Sequence, residues 1–163
     1  MTSKGSPAAL PREGPDAVGL RVAILAARFN AEVTDRLIEG ASRALLARGA
    51  TDGDIETWRV PGAWELPQAA ARAVDAGRFD AVIALGCVIR GETPHFEYVC
   101  MEVTLGLGAV ARGARIPLAF GVLTTDDLDQ ALARAGPGPD NKGYEAAMAV
   151  VEMVSVFRGL EAD

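Results

Sequence analysis

The sequence predicts an α/β protein: a three-layer sandwich with a four-stranded parallel sheet and helices on both faces. Three observations carry this. Strand-like and helix-like segments alternate along the chain after residue 18, the pattern of βαβ units. The strand candidates are near-continuous apolar runs, as expected for strands covered on both sides. Aromatic, Gly-Pro and polar residues collect in the segments that leave the strands, where ligands bind in open parallel sheets.

Residues 1–18 contain Pro7, Pro11, Pro15 and two glycines, and are expected to form a mobile or loosely docked tail. Residues 20–26 form the first apolar run. A helix follows over about 32–48, with Val33, Leu37, Ala41, Ala44 and Leu45 on one face. Gly49 ends it. Residues 55–60 read as a weaker strand and the alanine-rich stretch 65–75 as the second helix. Residues 81–86 are the most apolar strand, and Phe96, Val99, Cys100, Val103, Leu107 and Val110 then fall at helical spacing. The fourth strand is predicted at 118–123, a short helix at 127–135 and a final helix at 143–157. The domain is expected to span 19–158, with a short tail at 159–163.

Composition narrows the function classes. A chain of 163 residues is most simply one domain, able to bury roughly 70% of its unfolded surface. Half of its residues are apolar and its mean hydropathy is positive, yet no run approaches the roughly 20 apolar residues needed to cross a bilayer. The excess apolar surface is expected to be buried between subunits. The net charge of −6 and the lack of a basic cluster argue against nucleic acid or an anionic membrane as partner. Cys87 and Cys100 have neither disulfide nor metal-ligand spacing, and nothing at the N-terminus resembles a secretion signal. A cytoplasmic protein is expected, with no metal site and no cofactor.

The chemistry concentrates in residues 86–98, Gly-Cys-Val-Ile-Arg-Gly-Glu-Thr-Pro-His-Phe-Glu-Tyr. An apolar strand feeds a glycine-containing turn, and Thr93-Pro94 is expected to open a helix with Thr93 as N-cap and Pro94 in the first helical position. Free N–H groups at that end would suit an anion. Beside them stands His95, the chain's one histidine and the side-chain type best matched to proton transfer near neutral pH. An anion cradle next to a proton shuttle suggests an enzyme acting on a small phosphorylated substrate.

Five segments together resemble the lumazine synthase family: residues 27–30 (Ala-Arg-Phe-Asn), 60–67 (Val-Pro-Gly-Ala-Trp-Glu-Leu-Pro), 86–98, 120–125 (Phe-Gly-Val-Leu-Thr-Thr), and Arg134-Ala135-Gly136 with Asn141-Lys142-Gly143. They occur in the family's order and spacing, over about 19–158. The resemblance implies a flavodoxin-like sheet and condensation of 5-amino-6-(D-ribitylamino)uracil with 3,4-dihydroxy-2-butanone 4-phosphate. The product would be 6,7-dimethyl-8-ribityllumazine, the penultimate compound of riboflavin synthesis, with release of phosphate and water.

Residue by residue, the resemblance implies His95 as the proton-transfer group. Phe29 is the ring-stacking aromatic and Trp64 a second aromatic of the pocket, while Glu65 accepts from ribityl hydroxyls. Main-chain groups of Ala63, Cys87, Val88 and Ile89 read the uracil edges. Phe120 closes the pocket from a neighbouring subunit, with Lys142 and Asn141 as further contacts across the interface. Glu92 and Thr93, through backbone N–H groups and the Thr93 hydroxyl, hold phosphate together with Arg134, whose planar fork can pair with two oxygens at once. Arg90 reads as structural or interfacial.

The family assembles as pentamers with active sites between subunits, in some members as shells of 60 chains, and riboflavin synthase is a candidate partner. In the family the N-terminal tail can add a strand to a neighbour's sheet, to which the tail's prolines cannot donate ladder bonds. Residues 136–140, Gly-Pro-Gly-Pro-Asp, replace a stretch that often carries a lysine in the family. Cys87, with no base spaced to activate it, reads as a small apolar residue rather than a nucleophile.

Two look-alikes carry no function. Gly106-Leu107-Gly108 falls inside a helical pattern rather than after a strand, and the glycine-rich stretch 136–143 is interrupted by prolines that lack N–H groups. Rivals from other classes are a non-catalytic flavin or pterin carrier and a cage-forming shell protein. A carrier would need Phe29 and Trp64, but not His95 and Arg134 together.

Overall fold

The computed structural model describes residues 14–162. Four strands form one parallel sheet: β1 (Val22–Ala27), β2 (Ile55–Val60), β3 (Ala81–Ile89) and β4 (Leu118–Thr125), in the order β2-β1-β3-β4. Five helices cover it: α1 (Ala31–Ala47), α2 (Leu66–Asp75), α3 (His95–Gly113), α4 (Leu128–Arg134) and α5 (Lys142–Glu161). This is the α/β sandwich expected from the alternation of segments. Among the described residues, no helix is long and apolar enough to cross a membrane.

Alternate residues of β1, β3 and β4 feed two cores, whereas the edge strand β2 has no buried residue. Val22, Ile24 and Ala26 of β1, with Ile83, Leu85 and Cys87 of β3, pack beneath α1 and α5. Ala23, Leu25, Val82 and Ala84 face the other way, towards α2 and α3. Small residues let α1 and α5 approach closely. A Cβ on Gly143 would lie 2.0 Å from the Leu37 carbonyl oxygen, and one on Gly40 would lie 2.1 Å from Oδ1 of Asn141. Gly106, in the discounted nucleotide-like motif, lies inside α3 where a Cβ would meet Pro67 at 2.8 Å; its small size serves packing.

The structure extends several elements beyond the apolar signal. β3 continues through Cys87, Val88 and Ile89, which pair in register with Leu123, Thr124 and Thr125 of β4. The ladder holds the chain extended although its composition has become polar on the β4 side. α5 runs to Glu161, four residues past the expected end. The start of α3 differs more. Pro94, not Thr93, occupies the capping position, with φ −64° and no side-chain cap. Proline's fixed φ already matches the helix, and the first turn closes through Glu97 N–H donating to the Pro94 carbonyl at 3.1 Å.

Of the tail expected over 1–18, residues 1–13 lie outside the described residues, and with them most of the segment considered for strand exchange. Ala17 is fully buried, and its N–H donates to the Arg48 carbonyl at 2.8 Å. The chain is therefore docked on the end of α1 before β1 begins.

Candidate active site

In the order β2-β1-β3-β4, the chain steps outward from β1 to one side and from β3 to the other. The loops after β1 and β3 diverge, and a crevice opens between them at the strands' carboxyl ends. Phe29, Pro61, Gly62, Ala63, Trp64, Glu65, Cys87, Val88, Ile89, Gly91, Thr93, His95, Phe96 and Val99 line a cleft of about 410 Å³ there. Nine of the residues singled out from the sequence thus share one wall: Phe29, Ala63, Trp64, Glu65, Cys87, Val88, Ile89, Thr93 and His95.

Each is positioned by local structure. The β1–β2 pairing continues past the strands, with Arg28 N–H donating to Val60 O at 2.8 Å and Phe29 N–H to Pro61 O at 3.1 Å. This presents the Phe29 ring, 70% exposed, over the cleft. Trp64, 53% exposed, rides on a 3₁₀ turn at Ala63–Glu65. One Glu65 oxygen, Oε2, accepts from Gly62 N–H at 3.0 Å and holds that turn. The Cys87 side chain belongs to the core under α1 and α5, so its main chain is what it offers the cleft. Burial pushes that thiol up to about 11, which leaves it neutral and non-nucleophilic at physiological pH.

Asn30 was not read from the sequence as a site residue, yet it joins two walls. It caps α1 in the left-handed region at φ 58°, a conformation that asparagine tolerates better than most residues. Its Nδ2 donates to the Cys87 carbonyl at 2.9 Å. An Asn just before an apolar helical pattern does mark a helix start, but the Asn30 side chain makes no cap bond, and its reach to Cys87 has no local sequence signal. Phe96 and Val99 were also missed as lining, because side-chain direction at a helix start does not follow from periodicity alone, and so was Gly91, a loop residue with no side chain to mark it.

The remaining expected site residues are elsewhere. Phe120, Arg134 and Lys142 line a second depression of about 840 Å³ between β4, α4 and α5. Arg134 Nη1 donates to the Gln130 carbonyl at 2.9 Å, and Lys142 Nζ is paired with Glu145 at 2.7 Å. Glu92 is exposed on the loop before α3 and lines neither depression. Asn141, expected as a ligand contact, is instead a structural residue. It is 2% exposed; its Oδ1 accepts from Gly143 and Tyr144 N–H, and its Nδ2 donates to the Arg36 and Gly136 carbonyls. Arg90, read as structural, pairs with Glu97 and with Asp126 at 3.0 Å.

Fold and site define a class: a small-molecule enzyme of the open parallel α/β type, with an aromatic-walled cleft and one imidazole at the topological switch point. Residues 19–158 match the profile of the 6,7-dimethyl-8-ribityllumazine synthase family. A 6,7-dimethyl-8-ribityllumazine synthase from Anaeromyxobacter dehalogenans (strain 2CP-C) is 53% identical over 142 residues, covering 87% of this chain and 88% of that protein. The chain belongs to the 6,7-dimethyl-8-ribityllumazine synthase family.

Proposed function

We propose that the protein condenses 5-amino-6-(D-ribitylamino)uracil with 3,4-dihydroxy-2-butanone 4-phosphate to give 6,7-dimethyl-8-ribityllumazine, phosphate and water, and that the cleft at the β1/β3 switch point carries this reaction. The observation that supports it most is the convergence in that cleft of two exposed aromatic rings, strand-end main chain and the chain's one imidazole. A carrier of flavins or pterins would use the rings and leave the histidine without a task.

The chemistry needs little beyond positioning and proton movement. An amine attacks a ketone, water leaves to form an imine, phosphate is eliminated, and a second dehydration closes the ring. Phe29 and Trp64 give the flat pyrimidine an apolar face. Main-chain groups of Ala63, Cys87, Val88 and Ile89, which line the same cleft, are assigned to its edges. Oε1 of Glu65 has no partner among the described residues and can accept from a ribityl hydroxyl. His95 transfers protons to and from the reacting nitrogen and oxygens, a role worth about 10²–10⁴-fold. Holding both substrates in register can supply up to roughly 7–11 kcal/mol of the barrier.

Phosphate is assigned to the N–H groups around Glu92 and Thr93 with the Thr93 hydroxyl, completed by Arg134. In a single chain Arg134, Phe120 and Lys142 line a different depression, so the complete site requires a neighbour to bring the second set to the first. A homo-oligomer with sites between subunits follows, and a pentamer is the form we propose. A cytoplasmic location fits a phosphorylated substrate.

The direct test mixes the purified protein with both substrates at neutral pH and follows lumazine fluorescence against an enzyme-free control. A protein-dependent rise is expected. A flat trace from folded protein that still binds the pyrimidine or a flavin would establish the carrier reading instead. In the same assay His95→Ala should lower kcat by about 10²–10⁴-fold with pyrimidine affinity nearly intact; loss of affinity in place of rate would remove the proton-transfer role.

A further inference from the structure

His95 is the first residue of α3 and is exposed on the cleft wall. Among the described residues, none hydrogen-bonds to its imidazole. Its position is therefore set by the main chain of the first helical turn and by whatever fixes that turn. The loop leading in offers little support: Gly91, Glu92, Thr93 and Pro94 are all exposed, and a Cβ on Gly91 would touch nothing within 4 Å.

One side chain supplies the missing constraint. Arg90 ends the β3–β4 ladder, its N–H donating to the Thr125 carbonyl at 2.9 Å. Its Nε bonds Asp126 Oδ1 at 3.0 Å, just past β4. Its Nη1 bonds Glu97 in the first turn of α3, and its guanidinium carbon lies 4.3 Å from the centre of the Phe96 ring. Phe96 and Glu97 are the two residues that follow His95. The planar fork spans from the rigid sheet edge to the turn that bears the imidazole, with a stacked face and two carboxylates fixing its orientation. Lysine has neither the fork nor the stacking plane.

We propose that Arg90 is a positioning residue for the reaction, holding the first turn of α3 against the end of β4 so that the His95 imidazole is aimed into the cleft. This rests on His95 being the proton-transfer group. Arg90 does not line the cleft, so its effect reaches the substrates through the turn and not by contact. Both its ion pairs are half-exposed, and pairs of that kind add little to stability. Its removal should therefore cost rate rather than fold.

The test uses Arg90→Gln, Arg90→Lys, His95→Ala and the double variant, each as the assembled protein. Arg90→Gln should lower kcat by about 10- to 100-fold, the scale of a small misplacement, while KM for the pyrimidine stays within about twofold. Arg90→Lys should recover only part of the rate. In the His95→Ala background, Arg90→Gln should have no further effect on kcat, because the group it positions is gone; an additive loss would overturn the proposal.

The chain has one histidine, so its imidazole NMR signal reports position independently of turnover. Arg90→Gln should displace or broaden that signal, and an unchanged signal would also overturn the proposal. Were His95→Ala fully active, the proton-transfer reading would fall and with it a catalytic purpose for the clamp, whereas the NMR result would still decide whether Arg90 orders the turn. If Arg90→Gln does not fold, Glu97→Gln and Asp126→Asn remove one arm each; each should give a smaller fall in kcat with the same shift in the signal, and no change in either variant would sink the idea.

Discussion

At the scale of single residues, the cleft shows how one strand can offer its two sides for different purposes. Cys87 sends its thiol into the core beneath α1 and α5, while its carbonyl is engaged by Asn30 at the cleft wall. Burial of the thiol favours the neutral form, with the folded value pushed up to about 11 from an unperturbed value of about 8.5. The stabilisation from keeping it protonated is complete below that unperturbed value and is lost as pH rises through the folded one. In the native protein Cys87 should resist iodoacetamide between about pH 7 and 9 and become reactive on unfolding. Peptide mass spectrometry after brief alkylation would check this, and rapid native modification at pH 8 would place the thiol in the cleft.

That Phe29, Trp64 and His95 stand exposed at the carboxyl ends of the strands rather than in the core was legible in the sequence, because all three fall in the segments that leave the apolar strand runs. Asn141 was not. Its burial and its contact with the Arg36 carbonyl, 105 positions away in the chain, are products of helix packing that no local pattern encodes.

Elements, in this fold, are anchored at their ends. Asn141 caps α5 and ties it to α1 and to the loop after α4 with four hydrogen bonds. Asn141→Ala removes the cap and leaves the Gly136 carbonyl without its donor, while the Arg36 carbonyl keeps its bond within α1, for an expected loss of about 2–4 kcal/mol from a cap of about 1 kcal/mol and a desolvation penalty of about 1–3. Denaturant unfolding would measure it, and a loss below about 0.5 kcal/mol would show that water replaces the amide. The start of α3 depends on ionisation. The Arg90 hydrogen bond holds the Glu97 carboxyl below the usual carboxylate range. A depressed folded value means that the pair contributes above the unfolded value, about 4.3, and that its contribution vanishes as pH falls through the folded one. The thermal midpoints of wild type and Glu97→Gln should therefore differ only slightly at pH 7, as befits an exposed pair, and converge below about pH 4. A gap that persists in acid would assign the effect to the shape of the side chain.

Element existence and order could be read from apolar periodicity, but two boundaries could not. The extension of β3 to Ile89 is enforced by pairing with β4, and the start of α3 moved because proline's own backbone serves where a threonine cap was expected. In both cases a neighbour or a backbone constraint overrode the local preference.

For the whole molecule, the decisive fact is that one chain carries the two sets of expected site residues in separate depressions. His95 belongs to the set at the β1/β3 crevice, and Arg134 to the set between β4, α4 and α5. If a site forms where the first set of one subunit meets the second set of the next, the contact is head-to-tail, and closure gives a ring. Five chains of 17.0 kDa would give about 85 kDa in such a cyclic assembly. The arrangement has a consequence that size alone cannot test. Subunits carrying His95→Ala and subunits carrying Arg134→Ala should each be nearly inactive towards the butanone phosphate when pure. Dissociated and reassembled as an equal mixture, they should regain activity. A junction works when an Arg134→Ala subunit supplies its histidine and a His95→Ala neighbour supplies its arginine, which random mixing achieves at about one junction in four. Recovery near a quarter of the wild-type rate is therefore expected. Mixtures as inactive as their parents, after exchange has been verified by mass, would place both residues of a working site in the same chain and would require α4 to move towards the crevice instead.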